Sequence, residues 1–342
     1  MGYSPIILFI YARPDHTRRT LEALSSNTLA QESDLFIYAD GPKENVTEEQ
    51  RERIRQTREV ARSRQWCRTV TLIESDTNKG LAASIIAGVT ETVSRYGRVI
   101  VLEDDIVTGK YFLEYMNNSL ERYEDEKQVW EIAGYRVPVN SNKVGSCFFS
   151  KNESCWGWAT WADRWSFFKK DPGYYVSIFT EEMIREFNMD GADTNLWKQV
   201  QLNLSGEINT WAVFWDATIY IHHGLVLTPF KSLVRNIGFD NTGENCGNSP
   251  CFSITEPINH QINDYPEEIN LDSKGYNKDK KYFRKMTREQ DFISFLSFVA
   301  RKTLPSSLRE RLKPYLLRYN LLGLNILCQL CVSKILFVLS KR

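Results

Sequence analysis

Glu103-Asp104-Asp105 directly follows the apolar run Val99-Ile100-Val101-Leu102. Three carboxylates at the end of a buried strand repel one another and lose hydration, so packing alone explains them poorly. A divalent cation resolves the conflict, because Mg2+ and Mn2+ take oxygen ligands, often one or two carboxylates together with the phosphates of a substrate. The competing reading is an acidic loop that caps a helix starting near Lys110, its carboxylates at the positive end of the helix dipole. On the triplet alone, both readings stand.

The surrounding residues predict the elements that position it. Ile6-Ile7-Leu8-Phe9-Ile10 reads as a strand, and Pro14-Asp15 as a turn into a helix carrying Leu21 and Leu24. Leu35-Phe36-Ile37-Tyr38 gives a second strand ending at Ala39-Asp40-Gly41-Pro42, and Thr47-x-x-Gln50 a capping box for the charged helix after it. Val70 to Ile73 is a third strand, and Leu81, Ile85, Gly88, Val89, Thr92 and Tyr96 share one side of a helix before a fourth strand delivers the triplet. Alternating strands and helices imply an α/β fold with a mostly parallel sheet covered on both faces, whose ligands gather at the carboxyl ends of strands. Arg13-Pro14-Asp15, Asp40-Gly41 and the acidic triplet all lie at such ends.

With 342 residues the chain can build one elaborated α/β domain or two smaller ones. Its 43 Lys and Arg match 43 Asp and Glu, which argues against a general nucleic-acid binder and makes any positive site local. Nine Trp and sixteen Tyr supply flat, polar-edged surfaces that suit sugar rings, although core packing accounts for most of them. Seven cysteines include no paired CxxC units for zinc, and Cys328-x-x-Cys331 lies in an apolar helical stretch. Reduced thiols are expected, with a Cys246–Cys251 pair the alternative in an oxidising compartment. The run from Pro5 to Ala12 lacks a basic leader and reads as a core strand, not a secretory signal.

Beyond about Tyr135 the alternation fades into Gly-, Asn- and Trp-rich stretches, expected to form irregular loops against the sheet. Lys274 to Arg288 is charged and expected to be solvated. Arg301 to Arg318 carries six Lys or Arg against one Glu, and Leu321 to Leu339 is apolar, with Asn325, Gln329 and Ser333 forming a narrow polar stripe on a helix. This pairing suits a helix lying on an anionic membrane surface, with a helix docked on protein as the alternative; Lys334 makes a bilayer span costly.

The opening strand with Thr17-Arg18-Arg19, the Asp40-Gly41 strand end, and Val101-Leu102-Glu103-Asp104-Asp105-Ile106 with Phe112 and Tyr115 resemble GT-A glycosyltransferases. The likeness is greatest to the family 13 N-acetylglucosaminyltransferases, whose metal motif is also Glu-Asp-Asp before a Phe-rich helix, and is strongest over residues 5–125. Asn78-Lys79-Gly80-Leu81-Ala82-Ala83, with Gly88 beyond it, is similar instead to the Asn-x-Gly stretch of family 2. The resemblance implies that Asp105 holds the metal, Asp104 contacts the ribose, Glu103 supports the site and Asp40 binds the base. Arg13 would assist, and Asn78, Lys79 and Gly80 would meet the nucleotide sugar.

Trp215-Asp216 resembles the Trp-Asp-Asp element that carries the family 13 base; Ala217 replaces the second Asp, so Asp216 would take the acceptor's proton, with a turn cap as its alternative role. Thr228 to Cys246, with Lys231, Arg235, Asn236, Gly238, Asn241 and Gly243, resembles the mobile loop that folds over the diphosphate. In Trp156-Gly157-Trp158-Ala159-Thr160-Trp161 the resemblance assigns Trp158 to the donor-sugar and acceptor pocket, leaving Trp161 and Trp165 to the core. At most one of His222 and His223 would join the site, since neighbours on a strand face opposite ways.

The resemblance as a whole implies a GT-A enzyme dependent on Mn2+ or Mg2+ that moves a sugar from a nucleotide-sugar donor, UDP-N-acetylglucosamine first, to a glycan or lipid-linked saccharide acceptor with inversion. Residues 1–134 would form the nucleotide-sugar-binding half, 135–270 the acceptor half and 271–342 a C-terminal helical region. The expected location is cytoplasmic, peripheral to the inner face of a membrane through residues 301–342. Two alternatives are a sugar-nucleotide pyrophosphorylase, which Tyr11-Ala12-Arg13-Pro14-Asp15 disfavours by lacking glycines, and an inactive glycan-binding domain, which intact Asp105 and Asp216 disfavour.

Overall fold

A computed structural model describes residues 2–193, 195–240 and 252–303. Strands β1 (Ile6–Ile10), β2 (Asp34–Ala39), β3 (Thr69–Glu74) and β4 (Arg98–Glu103) pair in parallel in the order β3-β2-β1-β4. All five residues of β1 are buried, as a central strand covered on both faces requires. Helix α1 (Pro14–Ser25) opens on a proline, whose missing N–H costs nothing in a first turn, and buries Thr17, Thr20, Leu21 and Leu24. Helix α2 (Glu48–Arg62) begins at the expected capping box: the Gln50 N–H donates to Thr47 Oγ1 at 3.2 Å and the Thr47 N–H to Gln50 Oε1 at 3.3 Å. Helix α3 (Leu81–Tyr96) starts after Gly80 and ends at Gly97, whose φ of 79° is the left-handed turn that glycine adopts most easily.

The second half departs from the expectation of irregular loops. It adds β7 (Cys147–Ser150), β8 (Trp158–Trp161) and β9 (Leu225–Pro229), which with β6 (Val129–Ala133) extend one eight-stranded sheet in the order β4-β8-β6-β9-β7. Strand β8 runs antiparallel to both β4 and β6, so it joins the parallel half to the rest. These strands are four or five residues long and buried throughout, so they lack the polar alternation that would have marked them. A separate antiparallel ribbon pairs β5 (Ile106–Thr108) with β10 (Val234–Asn236). Between β8 and β9 lie α5 (Ala162–Trp165), α6 (Pro172–Ile178), α7 (Glu181–Phe187), α8 (Asn195–Leu204) and α9 (Ala212–Ile221). Helix α4 (Phe112–Arg122) covers the opposite face, burying Phe112, Tyr115 and Met116.

Helix α10 (Ser273–Thr303) docks where Lys274 to Arg288 was expected to be solvated. Tyr276 and Met286 are buried, and Arg136 donates to Asp279 Oδ1 at 2.9 Å. A Cβ on Gly275 would stand 2.5 Å from the Phe148 ring, so glycine permits the close approach. No helix of the described residues is long and apolar enough to cross a membrane. The Leu321–Leu339 stripe, Cys328 and Cys331, the Cys246–Cys251 pair, Asn241 and Gly243 lie outside the described residues.

Candidate functional site

At the carboxyl ends of β1, β2 and β4 the chain lines a cavity of about 280 Å³. One wall is the Phe9 ring stacked on Tyr38, with centroids 5.3 Å apart. Gly88 makes room for them, because a Cβ there would lie 2.8 Å from Phe9. At the end of β2, Asp40 Oδ1 accepts from the Gly41 and Lys79 N–H groups, both at 2.8 Å, and Oδ2 from the Gly80 N–H at 3.0 Å. The Asn78 amide donates to Gly41 O at 3.0 Å. Asp40 therefore fastens the 78–80 loop to the sheet and keeps one lone pair of Oδ2 for a ligand. Asn78 and Gly80 line the cavity; Lys79 is exposed and contributes its backbone N–H.

The acidic triplet forms the other end. Asp104 and Asp105 are buried, and the Arg13 guanidinium lies against both. Arg13 donates from Nε to Asp104 Oδ2 at 3.2 Å, makes a closer bond from Nη2 to Asp104 Oδ1, and stands 2.9 Å from Asp105 Oδ2. Its Nη1 is buried without a partner among the described residues. Burial, and then the charges of Asp105 and Asp104, push Glu103 up to about 8. Burial also lifts Asp104 to about 6, against the opposing pull of Arg13. Burial works against the Arg13 charge, yet Asp104 and Asp105 outweigh it and raise Arg13 above its ordinary value.

The triplet does not cap a helix. It runs into β5, and the first turn of α4 is capped from elsewhere, the Leu113 N–H donating to Asn27 Oδ1 at 3.0 Å. Among the described residues no group of three or more His, Cys, Asp or Glu forms a ready metal cage. The donor set fits a cation in a shared form, in which Asp105 would be the protein ligand and a diphosphate would complete the shell. Arg13 would then exchange Asp105 for the phosphate oxygens, which its unpartnered Nη1 suits.

The segment after β10 covers this end. The Ile237 N–H donates to Asp105 O at 2.9 Å, and the Gly238 N–H to Asn236 Oδ1 at 2.7 Å. A Cβ on Gly238 would fall 2.1 Å from Asp105 Oδ2. Asn236 thus shapes the turn over Asp105, whereas Arg235 leaves the cavity and donates to Glu256 O at 3.3 Å. His16, a residue that sequence reasoning missed, lies 3.3 Å from Ile237 O and 3.2 Å from Asp240 Oδ2. Its signal was its place three residues after Arg13, on the same helical turn.

Trp158 requires a correction. It is fully buried in β8, packed on Trp211 at 5.3 Å and Trp165 at 5.7 Å, and lines neither cavity described here. Gly157, at φ 70°, turns the chain just before the strand, so the ring that reaches open space is Trp156. Trp156 lies edge-on to Tyr135 and Phe252 in the wall of a second cavity of about 260 Å³. His222 stacks on Trp130 at 4.9 Å, and His223 sits in the turn after α9; neither lines the first or the second cavity.

Asp216 is buried in α9 behind that second cavity, where its Oδ1 accepts from the Glu153 N–H at 3.3 Å. Glu131, fully buried in β6, accepts from the Ser154 N–H and from Trp215 Nε1, both at 2.8 Å. Burial raises Glu131 to about 8 and Asp216 to about 7. Burial, then Glu131, Asp216 and Glu103, raise Glu153 well above the usual carboxyl range.

No protein-family model matches the chain, and no curated protein matches it significantly. Among solved structures it is similar to S. aureus TarS, at 13% identity over 43% of this chain and 24% of that one, with a TM-score of 0.28. It is also similar to S. aureus TarS 1-349, at 11% identity over 68% of this chain and 60% of that one, with a TM-score of 0.36. The chain spans less than two thirds of either. At these scores the likeness carries no argument, and it does not single out family 13.

Proposed function

We propose that the protein is a glycosyltransferase that moves a sugar from a nucleotide donor to a glycan or lipid-linked saccharide. The observation that carries this reading is the first cavity, where an aromatic wall, the Asp40-fastened loop and the Arg13–Asp104–Asp105 cluster meet at the ends of parallel strands. Phe9 and Tyr38 would flank the base, Asp40 would accept from it and Asp104 would meet the ribose. Arg13 would neutralise phosphate oxygens, and the turn at Gly238 would close over them. A bound Mn2+ or Mg2+ would supply Lewis-acid stabilisation of the charge on the departing diphosphate. UDP-N-acetylglucosamine is the first donor to try, and direct displacement with inversion is the proposed course.

Calorimetric titration of UDP tests the diphosphate end. Wild type should bind more tightly with Mn2+ than with chelator, by tenfold or more on the order expected for loss of a metal contact, and Asp105→Ala should lose that difference. Equal Mn2+ dependence in the two proteins would refute the assignment of Asp105.

A further inference from the structure

The lining of the second cavity includes three orphaned polar oxygens, the Thr228 hydroxyl and two side-chain acceptors. Glu153 Oε2 and Asn152 Oδ1 are buried and have no hydrogen-bond partner among the described residues, although both residues line a space walled by Trp156, Tyr135 and Phe252. Buried acceptors without donors are costly, so such a pair marks a place where a ligand's hydroxyl or amide groups complete the site. Aromatic faces beside unpaired oxygens match a saccharide, which offers hydroxyl donors at its rim and C–H surface on its face. The loop carrying these atoms is held from behind: Asp216 accepts the Glu153 N–H and Glu131 accepts the Ser154 N–H.

We infer that Glu153 is the catalytic base that takes the proton of the acceptor hydroxyl, and that Asp216 and Glu131 are positioning residues that fix the 152–155 loop. The inference rests on the glycosyl-transfer reading above. In the step, a lone pair of the acceptor oxygen forms the bond to the anomeric carbon. The bond from that carbon to the phosphate oxygen breaks, its electron pair leaving with the nucleoside diphosphate. The hydroxyl proton passes to Glu153 Oε2.

The surroundings favour proton uptake at this atom. Burial is the first cause that raises Glu153, whose own N–H and that of Ser154 are held by Asp216 on α9 and Glu131 on β6, while Arg136 and Asp279 form an ion pair in the same cavity wall.

The test uses the full chain and water as the acceptor. Nucleoside diphosphate release is followed with whichever UDP-, GDP- or dTDP-sugar the wild type turns over fastest, and binding of that nucleoside diphosphate is measured in parallel. Glu153→Gln should lower kcat by roughly 100-fold or more, the usual scale for a general base, with nucleotide binding unchanged. Asp216→Asn should keep kcat within about tenfold of wild type, as expected of a positioning residue, and keep the acidic limb of the pH–rate profile. Glu153→Asp, which retains a carboxylate, should recover part of the rate with that limb moved. A Glu153→Gln protein that retains most of its kcat, or a Glu153→Asp protein with an unmoved limb, would overturn the role of Glu153. Loss of turnover confined to Asp216→Asn would assign the base to Asp216 instead. A wild type that turns over no nucleotide sugar would overturn the glycosyl-transfer reading and this inference with it.

Discussion

Glu131 and Asp216 show what the protein gains and risks by burying carboxylates. Each is nearly inaccessible and raised by burial, to about 8 and about 7 respectively. The folded chain therefore holds protons that the unfolded chain releases between about pH 4 and 8. Stability from this source is complete below the unfolded values and falls as the pH rises through that window. Melting curves across it should show the decline, and Glu131→Gln should flatten it; an unchanged slope would contradict the burial argument. That Arg13, Asp40, Asp104 and Asp105 gather at one cavity was legible because each charge closes an apolar run. Glu153 was not, because its orphaned oxygen depends on a loop pinned by Asp216 and Glu131, which are distant in sequence. Trp158 was misassigned for a similar reason, since the left-handed backbone at Gly157 decides which tryptophan faces open space.

Among the elements, the end of β2 and the start of α3 depend on one side chain. Asp40 satisfies three N–H groups of the turns that meet there, and Gly41 permits the approach, since a Cβ on it would come within 2.5 Å of the Thr77 backbone. Asp40→Ala should cost about 1–3 kcal/mol in chemical denaturation, the usual penalty for stranding bonded groups. It should also speed amide exchange at Gly41, Lys79 and Gly80. Unaltered exchange at those amides would show that the loop holds itself. The parallel half was readable because its strands and helices differ in period and its capping box is local. Strands β6 to β9 were less so. They are short, uniformly apolar, and paired with segments far along the chain, so their place in the sheet comes from tertiary contacts.

At the scale of the molecule, one eight-stranded sheet carries two cavities, the first lined by Glu103 and the second by Glu153. In the proposed function the cavity at the parallel strands would take a nucleoside diphosphate, and the added strands and helices would offer the acceptor an aromatic wall with unpaired oxygens. Such a division between donor and acceptor is what transfer between two substrates needs, because the reacting atoms must meet while water is kept out. The most direct measurement is incubation of the purified protein with a panel of nucleotide sugars, with Mn2+ or with chelator, following release of nucleoside diphosphate. The account predicts turnover of at least one donor that depends on the metal and is lost in Asp105→Ala. No turnover and no binding of any donor across the panel would contradict it.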